Sequence, residues 1–273
     1  MLKIITIDSS DYLKIRTDDP LFAYGMALFE TIAIERGQLL FWRRHWERLV
    51  HSAQFLGLGE VLMEEQTAVL SVIKTFYHRT LKQTSILKLC LFQSQGELNL
   101  LIYPREPFEC TNAKHLCLNE EYPINEKSVI SRFKTHNYFE NIYLLKDARE
   151  KGFYDYLRIN CLGDITETAI SNIFLKINDR YLTPSLDSGV LPGVIRSVLL
   201  ESELFLESVI STEDLRKADA VYIMNSVQGI VAIDVVSNLY NEIVFDVGGY
   251  VDDSMPSLTR HLKTLEQLEA ISL

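Results

Sequence analysis

The stretch SRFKTHNYFENIYLLKDAREKG, residues 131–152, joins the two halves of this chain. Lys134 stands there between the apolar Phe133 and a polar run, just before a segment with helical periodicity that ends at Gly152. The turn-forming residues upstream predict a linker over 121–133. Lys134 is therefore either one more surface charge or a buried amine with a chemical role.

Strand and helix patterns are mixed on both sides of this linker. Predicted strands and hairpins cover 28–42, 85–92, 97–103, 114–119, 154–160, 170–177, 219–226 and 229–236. Predicted helices cover the segment after Trp42, then 60–81, 138–152, 193–204 and 257–271. The class is α+β (mixed α/β), with a domain at 1–120, the linker at 121–133, a larger domain at 134–273, and a cleft between the domains.

The composition excludes several classes of function. Of 273 residues 47% are hydrophobic and 23% charged, which is ordinary for a soluble globular protein. The net charge of −10 argues against nucleic-acid and anionic-membrane partners, because both require clustered Lys and Arg. The four cysteines have no CxxC spacing, so we expect reduced thiols, no metal site and a cytoplasmic location. No signal peptide and no membrane-length apolar run is expected.

Three features of the second half fit one cofactor. A lysine desolvated by burial has a lowered pKa, so Lys134 could form a Schiff base. The carboxylate of Glu167, between two predicted strands, could keep a pyridinium nitrogen protonated. The turns at 191–196 and 225–229 offer backbone N–H groups, and the Ser226 hydroxyl adds to them as a phosphate cup. Together they predict a pyridoxal phosphate site.

Each feature also has a plainer explanation. Lys134 taken alone fits a surface lysine, and Glu167 fits an exposed carboxylate in a turn. The run LPGVIR at 191–196 is an ordinary helix start. Arg48 could belong to a solvated helix face. Only the whole set, in this order along the chain, points to the cofactor.

The same segments resemble the class IV aminotransferase family, the fold-type IV pyridoxal phosphate enzymes. The run YGMALFETIAIERG and the helix after it resemble the first hairpin and helix of that family. FKTHNYFENIYLLKDAREKG resembles its lysine segment, and GDITETAISNIF with LPGVIR resembles its glutamate and phosphate motifs. ADAVYIMNSVQGIVAI resembles its last phosphate turn. The resemblance extends from about Tyr24 to Ile233.

The resemblance implies a role for each residue around the cofactor ring. Lys134 would carry pyridoxal 5'-phosphate as a Schiff base and then act as general base and acid. Glu167 would pair with the pyridine nitrogen, and Tyr138 would hydrogen-bond the phenolic oxygen of the ring. The substrate would be a small amino compound.

The resemblance also implies how the phosphate is held. Arg48 would reach it from the first long helix, Val194 and Ile195 would donate backbone N–H groups, and Ser226 would offer its hydroxyl. The family completes its site with loops from a second subunit, which implies a homodimer. Two departures stand out: Met26-Ala27 replaces the usual Asp-Gly, which puts that turn in doubt, and Ile195 replaces a frequent threonine.

Two residues bear on the reaction. Lys88 lies in a Leu-Lys pair similar to that of the lyase branch, where transaminases often place an arginine for the substrate carboxylate. Thr31 stands where similar lyases use a threonine hydroxyl to assist elimination, although a β-branched residue is also what a strand favours. The sequence therefore favours 4-amino-4-deoxychorismate lyase, which releases pyruvate and leaves 4-aminobenzoate for folate synthesis.

Two alternatives remain open. The first is a class IV amino acid aminotransferase of the branched-chain or D-amino acid type. The second is a non-catalytic binding protein on the same fold, which Met26-Ala27 favours and the presence of both Lys134 and Glu167 disfavours.

Overall fold

The computed structural model describes residues 2–8, 12–58, 62, 64–80, 85–106, 111–248 and 255–273. Its helices are α1 (Pro20–Tyr24), α2 (Trp42–Phe55), α3 (Gln66–Thr80), α4 (Phe139–Glu150), α5 (Val194–Leu200), α6 (Thr212–Arg216) and α7 (Met255–Glu269). None of the helices in these ranges is long and apolar enough to cross a membrane.

The strands fall into two groups along the chain. The first group is β1 (Leu2–Thr6), β2 (Ala27–Glu35), β3 (Gln38–Leu39), β4 (Ser85–Ser94) and β5 (Glu97–Arg105). The second is β6 (His115–Ile124), β7 (Asp155–Asn160), β8 (Ile165–Thr168), β9 (Asn172–Ile177), β10 (Arg180–Pro184), β11 (Phe205–Ser208), β12 (Ala220–Asn225), β13 (Gly229–Ile233), β14 (Val235–Asn238) and β15 (Ile243–Asp246). A short last strand, β16 (Ile271–Ser272), returns to the first group. The mixed α/β class is confirmed.

The chain divides into two compact units. One comprises Met1–Phe108, Phe133–Tyr138 and Thr264–Leu273, and the other comprises Glu109–Arg132 and Phe139–Lys263. This division differs from the domains expected at 1–120 and 134–273. The reason is non-local pairing, since β6 pairs with β7 and β14, whereas the segment after the linker pairs with β2.

The first unit is built on a six-stranded sheet in the order β1-β5-β4-β2-β3-β16. Side chains alternate along β2, so Leu28, Ile32 and Ile34 share one face. That face packs on α2 through Trp46 and Leu49, and all five side chains are buried. This apolar contact explains why a helix with strict 3.6-residue periodicity follows the hairpin.

Two-residue turns set the hairpins of this sheet. Arg36 and Gly37 have φ values of 51° and 76°, and Gln95 and Gly96 have 53° and 80°. Positive φ at both central residues matches the twist of antiparallel strands. The second strand of the hairpin predicted over 28–42 ends at Leu39, because Phe41 takes the left-handed conformation that begins α2.

The second unit is built on a ten-stranded sheet whose main path runs β11-β10-β9-β8-β7-β6-β14-β15, with β12 and β13 branching from β9. The predicted strand over 229–236 is two strands, because the chain leaves β12 and joins β6 in parallel. The predicted linker is strand up to Ile124, and the predicted helix at 193–204 ends at Leu200. Residues 60, 61, 63 and 81 of another predicted helix lie outside the described residues.

Candidate active site

The segment Phe133–Tyr138 runs beside the start of β2. The Phe29 N–H donates to the Lys134 carbonyl and the His136 N–H donates to the Ala27 carbonyl, each at 2.9 Å. Because side chains alternate along such a pairing, Lys134 and His136 lie on the face of Phe29 rather than on the α2 face. The lysine is thus fixed by backbone bonds to a strand far away in sequence.

The ring of Phe29 is the centre of this face. The amine of Lys134 lies 4.5 Å from the ring centroid and that of Lys88 lies 4.2 Å from it. The two amines are therefore no farther apart than the sum of these distances. The rings of Tyr138 and His136 meet Phe29 edge-on at 5.2 and 5.4 Å. Three residues predicted from sequence, Lys134, Lys88 and Tyr138, are thereby brought together.

Thr31 belongs to the same face. It is two residues beyond Phe29 on β2 and directly opposite Lys88 on β4. Its side chain is half-buried, as are those of Lys88 and Lys134. Thr31 and Lys88 are therefore cross-strand neighbours, and residues in this position on a sheet are close enough for their side chains to interact.

Burial lowers the pKa values of two basic groups on this face, Lys88 and His136. It lowers the pKa of the Lys88 amine, and the nearby charge of Arg105 lowers it further. Burial also lowers the pKa of His136 to about 4, helped by the Lys88 charge. His136 is thus a neutral imidazole at pH 7. Its Nε2 atom is buried with no hydrogen-bond partner among the described residues, a feature that sequence reasoning missed.

The opposite face of β2 carries a buried ion pair. Glu30 accepts two hydrogen bonds from Arg48, at 2.8 and 2.6 Å, and a third contact joins it to His45 Nδ1 at 2.7 Å. Burial alone would raise the pKa of Glu30, but the Arg48 charge and these bonds outweigh it and lower the pKa to about 2. Arg48 is thus fixed by Glu30, and its contact with a phosphate stays a prediction.

The turn at Met26-Ala27 keeps a regular geometry. Gly25 ends α1 with φ of 64°, and a Cβ there would lie 2.8 Å from Asn137 Oδ1. Ala27 is buried and begins β2, while Met26 is half exposed. The departure from the family pattern therefore leaves the start of the strand and its bond to His136 intact.

In the second unit, Glu167 is held in one orientation. Its Oε2 atom accepts from Asn172 Nδ2 at 2.8 Å and from the Leu191 N–H at 3.1 Å. The Glu167 side chain is half-buried on β8. A carboxylate oriented in this way can accept a hydrogen bond from a protonated ring nitrogen.

Asn172 connects this carboxylate to the next helix. Its Nδ2 atom also donates to the Leu191 carbonyl at 2.9 Å. A Cβ at Gly193 would lie only 1.9 Å from Asn172 Oδ1, so only glycine fits there. Sequence reasoning quoted Asn172 within a motif but assigned it no role, since the signal lies in its contact with a residue 21 positions away.

Val194 and Ile195 form the first turn of α5, with Gly193 as the N-cap. Glycine supplies no side-chain cap, so the first-turn N–H groups have no partner within the helix. Both apolar side chains are buried, which leaves the backbone as the polar feature of this turn. Backbone N–H groups of this kind can bind an anion such as a phosphate.

Ser226 lies in the turn between β12 and β13. Asn225 Oδ1 accepts two backbone N–H groups of this turn at 2.9 Å, and its Nδ2 donates to Ser171 Oγ at 2.9 Å. Met224 pairs with Asn172 across β12 and β9. The predicted phosphate turn is therefore a direct neighbour of the asparagine that holds Glu167.

Each unit by itself carries groups that suit pyridoxal phosphate. In the first unit a lysine amine lies on an aromatic ring. The second unit has an oriented carboxylate, an uncapped helix start and a serine turn. Those are the groups that this cofactor needs for its aldehyde, ring nitrogen and phosphate. The further residues that the structure adds are Phe29, Glu30, His45, Arg105, His136 and Asn172.

Related proteins are named either as branched-chain-amino-acid aminotransferases or as aminodeoxychorismate lyases. A provisionally named branched-chain-amino-acid aminotransferase of Aquifex aeolicus is 26% identical over 260 residues, covering 86% of this chain and 83% of that protein. An aminodeoxychorismate lyase of Vibrio harveyi is 25% identical over 253 residues, covering 84% and 90%.

Solved structures show the same fold. A provisionally named 4-amino-4-deoxychorismate lyase of Legionella pneumophila superposes with a TM-score of 0.80 at 25% identity, covering 96% of this chain and 99% of that one. A hypothetical aminotransferase of Mycobacterium tuberculosis, in its pyridoxal phosphate-bound form, superposes with a TM-score of 0.78 at 16% identity, covering 94% and 95%.

The family described as amino-transferase class IV matches residues 27–236, which contain Lys134, Glu167 and both phosphate turns. The resemblance and the cofactor expected from sequence are thereby confirmed, and the chain is an enzyme rather than a non-catalytic binding protein. This chain belongs to the class IV aminotransferase family of pyridoxal phosphate-dependent enzymes.

Proposed function

We propose that this enzyme is a 4-amino-4-deoxychorismate lyase. The observation that carries the proposal is the placement of Thr31 directly opposite Lys88, beside the ring on which the Lys134 amine rests. An elimination needs a base for one proton and an acid for the departing group, and this face offers both. The names of the Vibrio and Legionella relatives support the same reaction.

Lys134 and Thr31 would have separate roles in this reaction. Bound pyridoxal phosphate would supply an electron sink for the carbon that carries the substrate amine. Lys134 would hold the cofactor and then remove the proton from that carbon. Thr31 would help to protonate the enolpyruvyl group as its C–O bond breaks, so that it leaves as pyruvate, while 4-aminobenzoate remains.

The other predicted contacts would hold the cofactor in place. Glu167 would keep the ring nitrogen protonated, and Tyr138 would bond the phenolic oxygen. The phosphate would be bound by Arg48, by the N–H groups of Val194 and Ile195, and by the Ser226 hydroxyl. The held orientation of Glu167 and the uncapped start of α5 support these assignments.

An amino acid aminotransferase of the same family is the second candidate. The name of the Aquifex relative favours it, at an identity similar to that of the lyases. A transaminase must hold the carboxylate of an α-amino acid beside the reacting amine. Lys88 could serve that purpose from its place on the Phe29 ring.

We further propose a cytoplasmic homodimer whose second subunit completes the active site. Exposed apolar side chains on and beside α1 support an interface there, with Phe22 at 66%, Tyr24 at 70% and Met26 at 50% exposure. Light scattering of the purified protein should give twice the mass of the chain. A monomer at micromolar concentration would contradict the homodimer.

The reaction is tested on the protein loaded with pyridoxal phosphate. We expect added aminodeoxychorismate to release pyruvate with repeated turnover, while glutamate and branched-chain amino acids leave the visible absorbance band unchanged. Thr31→Val should slow pyruvate release with little effect on cofactor absorbance. Bleaching of the band by an amino acid, without pyruvate release from aminodeoxychorismate, would show a transaminase instead.

A further inference from the structure

Asp155 is a buried carboxylate to which the proposed function gives no role. It is the first residue of β7 and is only 1% exposed. Its Oδ1 atom accepts the Tyr156 N–H at 2.7 Å and the Ala169 N–H at 3.4 Å. Burying a carboxylate costs free energy even when hydrogen bonds offset part of the cost. Ala169 lies in the turn at 168–171, which joins β8 to β9, so the carboxylate connects β7 to that turn.

The turn at 168–171 holds β8 against β9. Along these two strands, both of them fully described, the chain forms one register pair, Glu167 with Asn172. The Thr168 N–H donates to the Ser171 carbonyl at 2.8 Å, and the Ser171 N–H donates to Thr168 Oγ1 at 3.1 Å. Because the strands share so short a ladder, the alignment of the Glu167 carboxylate with the Asn172 amide depends on this turn.

Three side chains outside the turn hold it in place. Asp155 accepts the Ala169 N–H, and Asn141 Nδ2 on α4 donates to the Ala169 carbonyl at 2.8 Å. On the other side of the turn, Asn225 Nδ2 donates to Ser171 Oγ at 2.9 Å. Asn225 is the residue that orders the predicted phosphate turn. The turn at 168–171 is thus bonded both to the buried carboxylate and to the predicted phosphate turn.

We propose that Asp155 is a positioning residue for the cofactor, which acts by holding the turn at 168–171 and thereby the orientation of Glu167. The inference rests on the proposed function for the role of Glu167 at the ring nitrogen. Asp155 acts through the Ala169 N–H and needs no contact of its own with a ligand. The same turn supports Asn225, so the loss of Asp155 should also weaken the binding of the cofactor phosphate.

The role requires an oriented acceptor rather than a charge. Burial raises the pKa of Asp155 to about 6, against the hydrogen bonds from Thr168, Tyr156 and Ala169 and the charge of Arg149. A neutral amide of the same shape keeps an oxygen acceptor, so Asp155→Asn should preserve the turn. Asp155→Ala leaves the two N–H groups buried without that acceptor, which is the costly change.

Amide hydrogen exchange of the cofactor-free protein, followed by NMR, tests the positioning directly. The Leu191 N–H donates to Glu167 Oε2, so its exchange reports whether the carboxylate is in place. We expect Asp155→Ala to speed exchange at Ala169 and Leu191 by about tenfold, the effect of losing one hydrogen bond. Asp155→Asn should restore exchange close to that of the wild type.

Asp214→Ala is the matched control. The Asp214 carboxylate also accepts a backbone N–H and a hydroxyl, both from Ser211, but it does so at the start of α6. This variant should leave exchange at Ala169 and Leu191 unchanged. Thr168→Val is the second variant, because it keeps the shape of the side chain and removes the hydroxyl that closes the turn. It should speed the same two amides even if Asp155→Ala does not fold.

A second readout uses pyridoxal phosphate that is isotope-labelled at its ring nitrogen, whose NMR shift reports protonation. In the loaded protein, Asp155→Ala should move this shift toward that of Glu167→Gln, and Asp155→Asn should not. If Glu167→Gln itself leaves the shift unchanged, the proposed role of Glu167 fails, while faster exchange at Leu191 still supports the positioning by Asp155. Unchanged exchange at Leu191 in folded Asp155→Ala and in Thr168→Val, or equal effects of Asp155→Ala and Asp155→Asn, would overturn the inference.

Discussion

The two faces of β2 differ in how their charged side chains are paired. On the α2 face, the Glu30 carboxylate is fully buried and bonded to Arg48 and His45. On the other face, the Lys88 amine rests on the Phe29 ring with no acidic partner among the described side chains. Removing one partner of a buried ion pair destabilises the fold, whereas a cation held on an aromatic ring is available to a ligand. One strand thus separates a buried ion pair from a face on which two lysine amines lie against an aromatic ring.

Among these predictions, the largest effect on stability is expected from Glu30→Gln, which removes the buried carboxylate. The change leaves Arg48 buried without a carboxylate, which costs roughly 3–5 kcal/mol in the free energy of unfolding. Urea unfolding at pH 7 measures it. Glu47→Gln is the matched control, because Glu47 pairs with Arg43 on the surface and such pairs contribute less than about 1 kcal/mol. Equal losses in the two variants would contradict a structural role for the Glu30 pair.

The same pair predicts a pH dependence. The folded-state pKa of Glu30 is about 2, below the ordinary value of 4.5 for a glutamate. The stabilisation is therefore fully present above pH 4.5 and is lost as the pH falls toward 2. The difference in unfolding free energy between the wild type and Glu30→Gln should stay constant from pH 7 to 5 and shrink below that. A difference that grows on acidification would contradict this assignment.

The face of β2 that carries Phe29 also carries His136, a histidine with a lowered pKa. The pKa of His136 is about 4 rather than 6.5, so the folded state favours the neutral ring and stability falls as the pH drops from 6.5 toward 4. A titration of the imidazole resonances in cofactor-free protein measures this midpoint, with His136→Gln to assign the signal. A midpoint for His136 near 6.5 would show that its ring is solvated.

The smallest expected effect is that of Lys88→Met on stability. A neutral side chain of similar length removes the cost of desolvating an amine, so stability should be unchanged or rise by up to about 1 kcal/mol. Thermal unfolding with Lys3→Met as the surface control measures it. A loss of more than about 2 kcal/mol would mean that Lys88, like Glu30, holds the fold together, and the contrast between the faces would disappear.

The local features of this molecule could be predicted from its sequence. The alternation along β2 and the Arg36-Gly37 turn depend on neighbouring residues alone, and both are present in the structure. Lys134, Lys88 and Tyr138 could also be gathered into one site, because their motifs resemble those of a known family.

The features that depend on distant pairing could not be predicted. The segment of Lys134 joins the first unit through bonds to β2, about a hundred residues earlier, which no local pattern encodes. The neighbour relation of Arg105 and Lys88 depends on the hairpin register. The Arg48–Glu30 bond was hidden because a helix and a strand meet there through tertiary packing.

The most direct test of the account is to locate the lysine that binds the cofactor. The protein is incubated with pyridoxal phosphate and reduced with borohydride, and the labelled peptide is identified by mass spectrometry. We expect the label on Lys134 in the wild type and in Lys88→Met, and its loss in Lys134→Ala. Since both amines rest on the Phe29 ring, a label on Lys88 would contradict the assignment of Lys134 as the catalytic lysine.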